Sequence, residues 1–251
     1  MDIQAYFDRI GYTGSREITP ENLTLLIRQH LETVPFENLD CYPNGHPLTN
    51  DPERLFEKIV VNRRGGICFE LNGLLYELLK AIGYECYSVA ARIPRPDGIA
   101  PICHQGVVVI LDGRQYYCDV GFGGPGSKGA LPLDDEPVQN IDGELFRIVR
   151  DGIYVGIQRY HQEDWGDVIR YADIPYIRED FSGMLYHFST APDSYFVIQR
   201  MVNLCVKGGG SLALTGNRFT ARRNGTITQT VLKDETEIRE VLAKEFDIIL
   251  P

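Results

Sequence analysis

"HQGVVVILDGRQYYCDVGF", residues 104–122, is two strand-like apolar runs joined by an Asp-Gly pair. Asp-Gly between β-branched and aromatic runs predicts a two-residue hairpin loop, because both loop positions need positive φ. With Asp112 and Gly113 as that loop, Leu111 faces Arg114, and the same register carries Val107 opposite Cys118 and Gly106 opposite Asp119. Side chains two apart on a strand share a face, so His104 and Asp119 become diagonal neighbours, about 7 Å apart at the backbone. Cys103 and Cys118 fall on the opposite face. A slip of one residue would exchange the two faces, so the turn type decides which side chains meet.

Upstream, "RRGGICFELNGLLYELLKAIG", residues 63–83, reads as a helix opening near Cys68. Leu71, Leu74, Leu75, Leu78, Leu79 and Ile82 recur at three- and four-residue spacing, and Gly83 suits a left-handed C-terminal cap. Cys68 lies three residues before Leu71, at the edge of this inward stripe. A cysteine in a first helical turn sits at the positive end of the macrodipole, which favours a thiolate. Arg64 is expected to add to that support.

The rest of 1–83 also reads as helical: "TPENLTLLIRQHLETV" has Thr19 as cap, Pro20 beside it, and apolar Leu23, Leu25, Ile27 and Leu31. From Tyr84 the pattern turns to strands, "YECYSVAARI", "HQGVVVIL", "RQYYCDVGF", "ELFRIVR" and "IYVGIQRY", with Asp151-Gly152 as a second hairpin turn. This predicts an antiparallel sheet or small barrel. "NLCVKGGGSLALTGNRFTARRNGTITQTVL" again alternates strands with glycine turns, and "ETEIREVLAKEFDI" closes as an amphipathic helix. The division is helical, then β, then mixed α/β, with the softer boundary near residues 180 to 195.

Of the 251 residues, 43% are hydrophobic, enough for a substantial core, and the net charge of −10 opposes a nucleic-acid partner. Arg63-Arg64 and Arg222-Arg223 are too short for nucleic-acid tracks. No apolar run approaches the length of a membrane span, and "MDIQAYFDRIGYTG" lacks the basic and apolar regions of a secretory signal, so a soluble cytoplasmic protein is expected. Cys41, Cys68, Cys86, Cys103, Cys118 and Cys205 form no CxxC pair, and reduced thiols are expected.

A cysteine nucleophile needs a base, and the base an orienting group. Cys68, His104 and Asp119 supply one such set: Asp119 fixes the imidazole tautomer, and His104 takes the thiol proton. Each residue type taken singly is also ordinary core or turn material. The shared face of His104 and Asp119 makes them a candidate catalytic set.

The pieces "VPFENLD" (34–40), "RRGGICFELN" (63–72), the strand led by His104, "DVGFGG" (119–124) and "STAPDSYF" (189–196) together resemble the arylamine N-acetyltransferases. The resemblance implies a three-domain α+β fold with a cysteine-protease or transglutaminase-like catalytic core. The domains are a helical N-terminal domain (1–83) carrying the nucleophile, an antiparallel β-barrel (84–185) carrying His and Asp, and an α/β lid (186–251). It also implies a ping-pong reaction in which Cys68 takes acetyl from acetyl-CoA and passes it to an arylamine, hydrazine or arylhydroxylamine, with His104 and Asp119 completing the triad. Phe36, Phe122 and Phe196 would hold the flat acceptor ring. "IAP" before His104, with Ala100 and Pro101, and "GFGGPG" after Asp119, with Gly123 and Gly124, resemble the family's coenzyme A contacts. The chain stops at Pro251, shorter than many members, so contacts from a longer tail are expected to be absent. The expected partners are coenzyme A and a small aromatic amine or hydrazine, with no metal, nucleic acid or membrane.

A cysteine hydrolase or transglutaminase-like enzyme could use the same triad, although no papain-type "CGSCW" is present. A non-catalytic relative would be expected to lack a triad member. A metal site from Cys103, His104 and Cys118 fails on the hairpin faces and matches no common zinc spacing.

Overall fold

The 104–122 hairpin forms in the register that its loop sets. Leu111 faces Arg114 and Val107 faces Cys118, with Asp112 and Gly113 at φ 50° and 78°. The paired strands end at Cys118, so Asp119 is the first residue beyond the ladder. This is a computed structural model describing residues 1–95, 98, 100–124, 126–134 and 137–250; Ile99 of the "IAP" piece and Pro125 of "GFGGPG" lie outside the described residues.

In chain order the elements are α1 (Ile3–Ile10), α2 (Pro20–Leu31), β1 (Phe36–Glu37), α3 (Pro52–Phe56) and α4 (Cys68–Ile82). Eight strands follow: β2 (Glu85–Arg92), β3 (His104–Leu111), β4 (Arg114–Cys118), β5 (Leu131–Pro132), β6 (Gln139–Ile141), β7 (Glu144–Asp151), β8 (Tyr154–His161) and β9 (Asp164–Ala172). The last stretch holds α5 (Ser182–Thr190), α6 (Tyr195–Ile198), β10 (Met201–Cys205), β11 (Gly210–Thr215), β12 (Arg218–Arg223), β13 (Thr226–Val231) and α7 (Glu235–Phe246).

Helix α2 starts where Thr19 accepts a hydrogen bond from the Asn22 N–H at 3.2 Å, with Pro20 at its first position. Its buried face is Leu23, Leu26, Ile27 and His30. Leu25, assigned to the stripe from sequence, is only half-buried, because the helical period brings Leu26 inward instead. Helix α4 runs from Cys68 to the left-handed Gly83 cap, and Leu71, Leu74, Leu75, Leu78 and Leu79 are wholly buried. Leu75→Ala is therefore expected to cost about 2–5 kcal/mol of stability, read from urea unfolding, with unchanged dependence on urea concentration.

The eight strands form one antiparallel sheet in the order β5-β4-β3-β2-β9-β8-β7-β6. It is a nearly closed barrel: β5 and β6 do not pair, but the Gln139 side chain crosses the gap to the Pro132 carbonyl at 2.8 Å. Alternation splits β2–β4 between two cores. Val89, Ala91, Val108 and Tyr117 face the barrel interior with Phe146, Val155, Ile157 and Tyr171. Ala90, Val107, Val109, Tyr116 and Cys118 face α4 and the other N-terminal helices. Burial on both faces explains the unbroken "VVV" of β3.

One reading is corrected here, and one strand is added. Asp151 stays in β7 opposite Tyr154, so the second hairpin loop is Gly152-Ile153 rather than Asp151-Gly152, with Gly152 supplying the positive φ. A further strand, β9, pairs with both β8 and β2 and joins the β6–β8 ribbon to the hairpin. A second sheet, ordered β1-β10-β11-β12-β13, packs Val202, Leu212, Leu214 and Ala221 against Ile238, Leu242 and Phe246 of α7. Its edge strand β1 comes from the N-terminal region of the chain, Phe36 facing Asn203. Among the described residues no helix is long and apolar enough to cross a membrane.

Candidate active site

The start of α4 meets the barrel at the point where β3 begins and β4 ends. Cys68 is the first residue of α4, His104 the first of β3, and Asp119 follows β4 directly. All three are buried, Cys68 at 2% exposure and His104 at 1%. The His104 Nε2 lies 2.6 Å from Asp119 Oδ2. That leaves Nδ1 for the Cys68 sulfur, which hydrogen-bonds with the imidazole and also approaches the Cys103 carbonyl at 3.8 Å. Gly121 admits this arrangement, since a Cβ there would stand 2.7 Å from the Cys68 Cα and 3.0 Å from Asn72 Nδ2.

The electrostatics follow from burial and pairing. Burial works against a charged His104, but the Asp119 carboxylate and Cys68 sulfur outweigh it and hold the imidazole pKa well above its ordinary value. Burial likewise opposes an ionised Asp119, yet His104 and the hydrogen bonds from His104, Asn72 and the Gly121 N–H hold its carboxyl below the usual range. The result is a buried imidazolium–carboxylate pair with the Cys68 sulfur on its far side.

Asn72, one turn after Cys68 on the same helix face, was not singled out from sequence. Its Nδ2 donates to Asp119 Oδ1 at 2.8 Å and to the Gln105 carbonyl at 2.6 Å, while its Oδ1 accepts from the Val120 N–H at 2.8 Å. The sequence signal was an asparagine at i+4 from the cysteine on an otherwise apolar stripe. Also unanticipated is a charge cluster beneath the helix start. Lys58 pairs with Glu70 at 2.7 Å and Asp40 at 2.8 Å, and Arg64 pairs with Glu37 at 2.8 Å and Asp40 at 2.7 Å. Glu70 Oε2 accepts from the Ile67 N–H at 3.0 Å, which ties the loop before Cys68 to the helix. Arg64, expected to support charge on Cys68, is thus committed to two carboxylates and fixes the loop instead.

The three phenylalanines chosen from sequence come together only incompletely. Phe122 stands edge-on to the His104 ring at 5.7 Å, and Phe36 packs on Phe196 at 5.9 Å. Phe188, missed in the sequence, continues the row from Phe196 at 6.0 Å to Phe69 at 6.0 Å, next to Cys68. A cleft of about 630 Å³ is lined by Phe36, Asp119, Phe122, Gly123 and Gly124 on one side and by the β10–β12 sheet on the other. Ala100 and Pro101 are not among its lining residues; the Ala100 carbonyl is buried and accepts from Arg92 at 2.8 Å, and Pro101 is exposed. Among the described residues no group of three or more His, Cys, Asp or Glu could hold a metal ion.

A buried thiol on a histidine that a carboxylate orients is an arrangement suited to acyl-group chemistry through sulfur. The sequence profile described as N-acetyltransferase matches residues 19–251. The arylamine N-acetyltransferase of Mycobacterium tuberculosis is 32% identical over 257 residues, covering 99% of this chain and 89% of that protein. Among solved structures, the arylamine N-acetyltransferase from Salmonella typhimurium matches with a TM-score of 0.92 at 29% identity, over 98% of this chain and 90% of that one. The Mycobacterium marinum arylamine N-acetyltransferase in complex with CoA matches with a TM-score of 0.89 at 28% identity, over 98% and 93%. The protein is an acyltransferase by descent, and the chain belongs to the arylamine N-acetyltransferase family.

Proposed function

We propose that this protein moves an acetyl group from acetyl-CoA to an arylamine, hydrazine or arylhydroxylamine through a Cys68 thioester. The observation that carries the reading is the burial of Cys68 and His104, at 2% and 1% exposure, beside a cleft walled by Asp119 and Phe122. An acyl-cysteine reaches an amine only if water is kept from it, so burial supports transfer over the hydrolase alternative.

With the thiol proton already held on His104, the Cys68 sulfur attacks the thioester carbonyl as a thiolate, and the imidazolium passes that proton to the departing coenzyme A sulfur. His104 Nδ1 then accepts the proton of the attacking amine, and Cys68 leaves as the sulfur of the broken thioester. A backbone N–H in the first turn of α4, where the helix has no intrahelical acceptor, stabilises the oxyanion of each step. Asp119 holds the imidazole through Nε2 and stays ionised throughout.

Phe36, Phe122 and Phe196 hold the acceptor ring. Gly123 and Gly124, with Ala100 and Pro101 on the approach to His104, contact the coenzyme. Lys128, Arg159 and Arg222 line the same cleft, and Arg159 Nε is buried without a hydrogen-bond partner, surroundings that fit the phosphates of coenzyme A. The chain divides into a helical domain (1–83), a barrel domain (84–185) and an α/β lid (186–251), on a cysteine-protease or transglutaminase-like core. Six unpaired thiols agree with work in the cytoplasm.

Initial rates measured while both acetyl-CoA and an arylamine are varied test the order of events. Parallel lines in the double-reciprocal plot are expected. Intersecting lines, the mark of a ternary complex, would overturn the thioester route.

A further inference from the structure

Asp119 accepts four hydrogen bonds, two at each oxygen, which fills the capacity of a carboxylate. At Oδ1 the donors are Asn72 Nδ2 at 2.8 Å and the Gly121 N–H at 2.9 Å. At Oδ2 His104 Nε2 at 2.6 Å shares the oxygen with the Tyr117 hydroxyl at 3.1 Å. We propose that Tyr117 is a positioning residue of the acetyl-transfer site, whose hydroxyl draws charge from the Asp119 oxygen facing His104 and so sets how tightly the imidazole is held. The proposal rests on the triad reading given above.

Three features of the fold serve this contact. Tyr117 points into the barrel interior, buried, with its ring stacked on Tyr171 at 5.5 Å between centroids, so the hydroxyl is held in one place. Asp119 is its hydrogen-bond partner among the described residues. Gly106 lies diagonally across the hairpin, and a Cβ on it would fall on the Tyr117 hydroxyl and outer ring. A glycine in mid-strand weakens β3 by loss of packing, and here the missing side chain is the space that the phenol occupies on its way to Asp119.

The titratable groups around the pair come from each neighbouring element. Cys68 approaches from α4, His104 from β3 and Tyr171 from β9, while β2 and β5 contribute apolar Val89, Ala91 and Leu131. Burial, then the Asp119 and Tyr171 charges, raise the Tyr117 pKa well above the ordinary phenol value, so the hydroxyl stays protonated and remains a donor. A donor on Oδ2 competes with His104 for the carboxylate charge. It therefore makes the imidazolium easier to deprotonate than it would be beside a carboxylate with only three donors. In the acetyl-enzyme, where His104 must be neutral to take the amine proton, this favours the reactive form.

Tyr117→Phe removes one atom and keeps the ring stack. Single-turnover discharge of the acetylated enzyme onto an arylamine is followed against pH, together with the His104 imidazole NMR titration in the unacetylated protein. The expected result is a move of both to higher pH by about half a unit to one unit, a part of the worth of one hydrogen bond to a charged group, since Asp119 keeps its three other donors. Discharge on the acid side should fall about three- to tenfold, with the alkaline plateau and acceptor KM unchanged. Profiles that superimpose on the wild type, or move to lower pH, overturn the proposal. If the wild-type protein forms no acetyl-enzyme, the triad reading fails first, and the His104 titration still decides whether Tyr117 acts on the pair.

Discussion

Cys68→Ala is expected to lower acetyl transfer to arylamines by about four orders of magnitude or more, while the protein remains folded. The sulfur is the only atom in the buried set that can carry the acetyl group between donor and acceptor, and among the described residues no other thiol hydrogen-bonds with His104. The fold should survive because the substitution exchanges one small side chain for another inside a core whose buried members, among the described residues, are dominated by Leu, Ile, Phe and Val. Far-UV circular dichroism and the melting temperature check the fold, and an arylamine acetylation assay checks the rate. Acetylation surviving within about tenfold of wild type would exclude the sulfur from the chemistry.

Asp119→Asn should cost about three to four orders of magnitude in kcat/KM, through the tautomer of His104 rather than through loss of structure. Oδ1 of Asp119 receives two donors, Asn72 Nδ2 and the Gly121 N–H. An asparagine must therefore keep its oxygen on that side and turn its NH2 toward His104 Nε2. Two donors cannot face each other, so Nε2 becomes an acceptor and the imidazole proton moves to Nδ1, the nitrogen that has to receive the Cys68 proton. The variant also replaces the buried countercharge that holds the imidazolium in place. The acceptor KM should change little, and a loss of less than about tenfold would show that the carboxylate is dispensable for orienting the base.

That Cys68, His104 and Asp119 come together was legible because two local rules placed them. Asp112-Gly113 fixed the hairpin register by turn chemistry, and the leucine stripe of 71–79 fixed which residue opens α4. What the sequence hid was long-range or polar. Strand β9 reads "DWGDVIRYA", with Gly166 and Asp167 exposed among the apolar positions, so its alternation emerges only when β8 and β2 flank it. Strand β1 is two residues long and pairs with a segment more than 160 residues away, beyond any local pattern. Glu37, Lys58 and Glu70 were not singled out in the sequence, and Arg64 was expected at Cys68 rather than in an ion-pair cluster. They are drawn inward because each finds an opposite charge or a backbone N–H, the condition for burying an ion. Leu25 and Leu26 differ by one position, and only the helical phase against the core chooses between them.

The same contrast holds at the residues proposed to contact the acceptor and the coenzyme. Phe36 and Phe122, together with Gly123 and Gly124, line the cleft, and Phe196 reaches it through Phe36. Ala100 and Pro101 sit outside its lining. Phe188 joins the aromatic row from α5, a helix whose sequence gives no hint that it faces Phe69.

The most direct test of the account is the intact mass of the protein after mixing with acetyl-CoA alone, followed by addition of 5-aminosalicylate or a hydrazine. One added acetyl group, mapped to Cys68 and discharged onto the amine faster than onto water, is the predicted result. No adduct, an adduct on another residue, or equal loss to water would contradict acetyl transfer through Cys68.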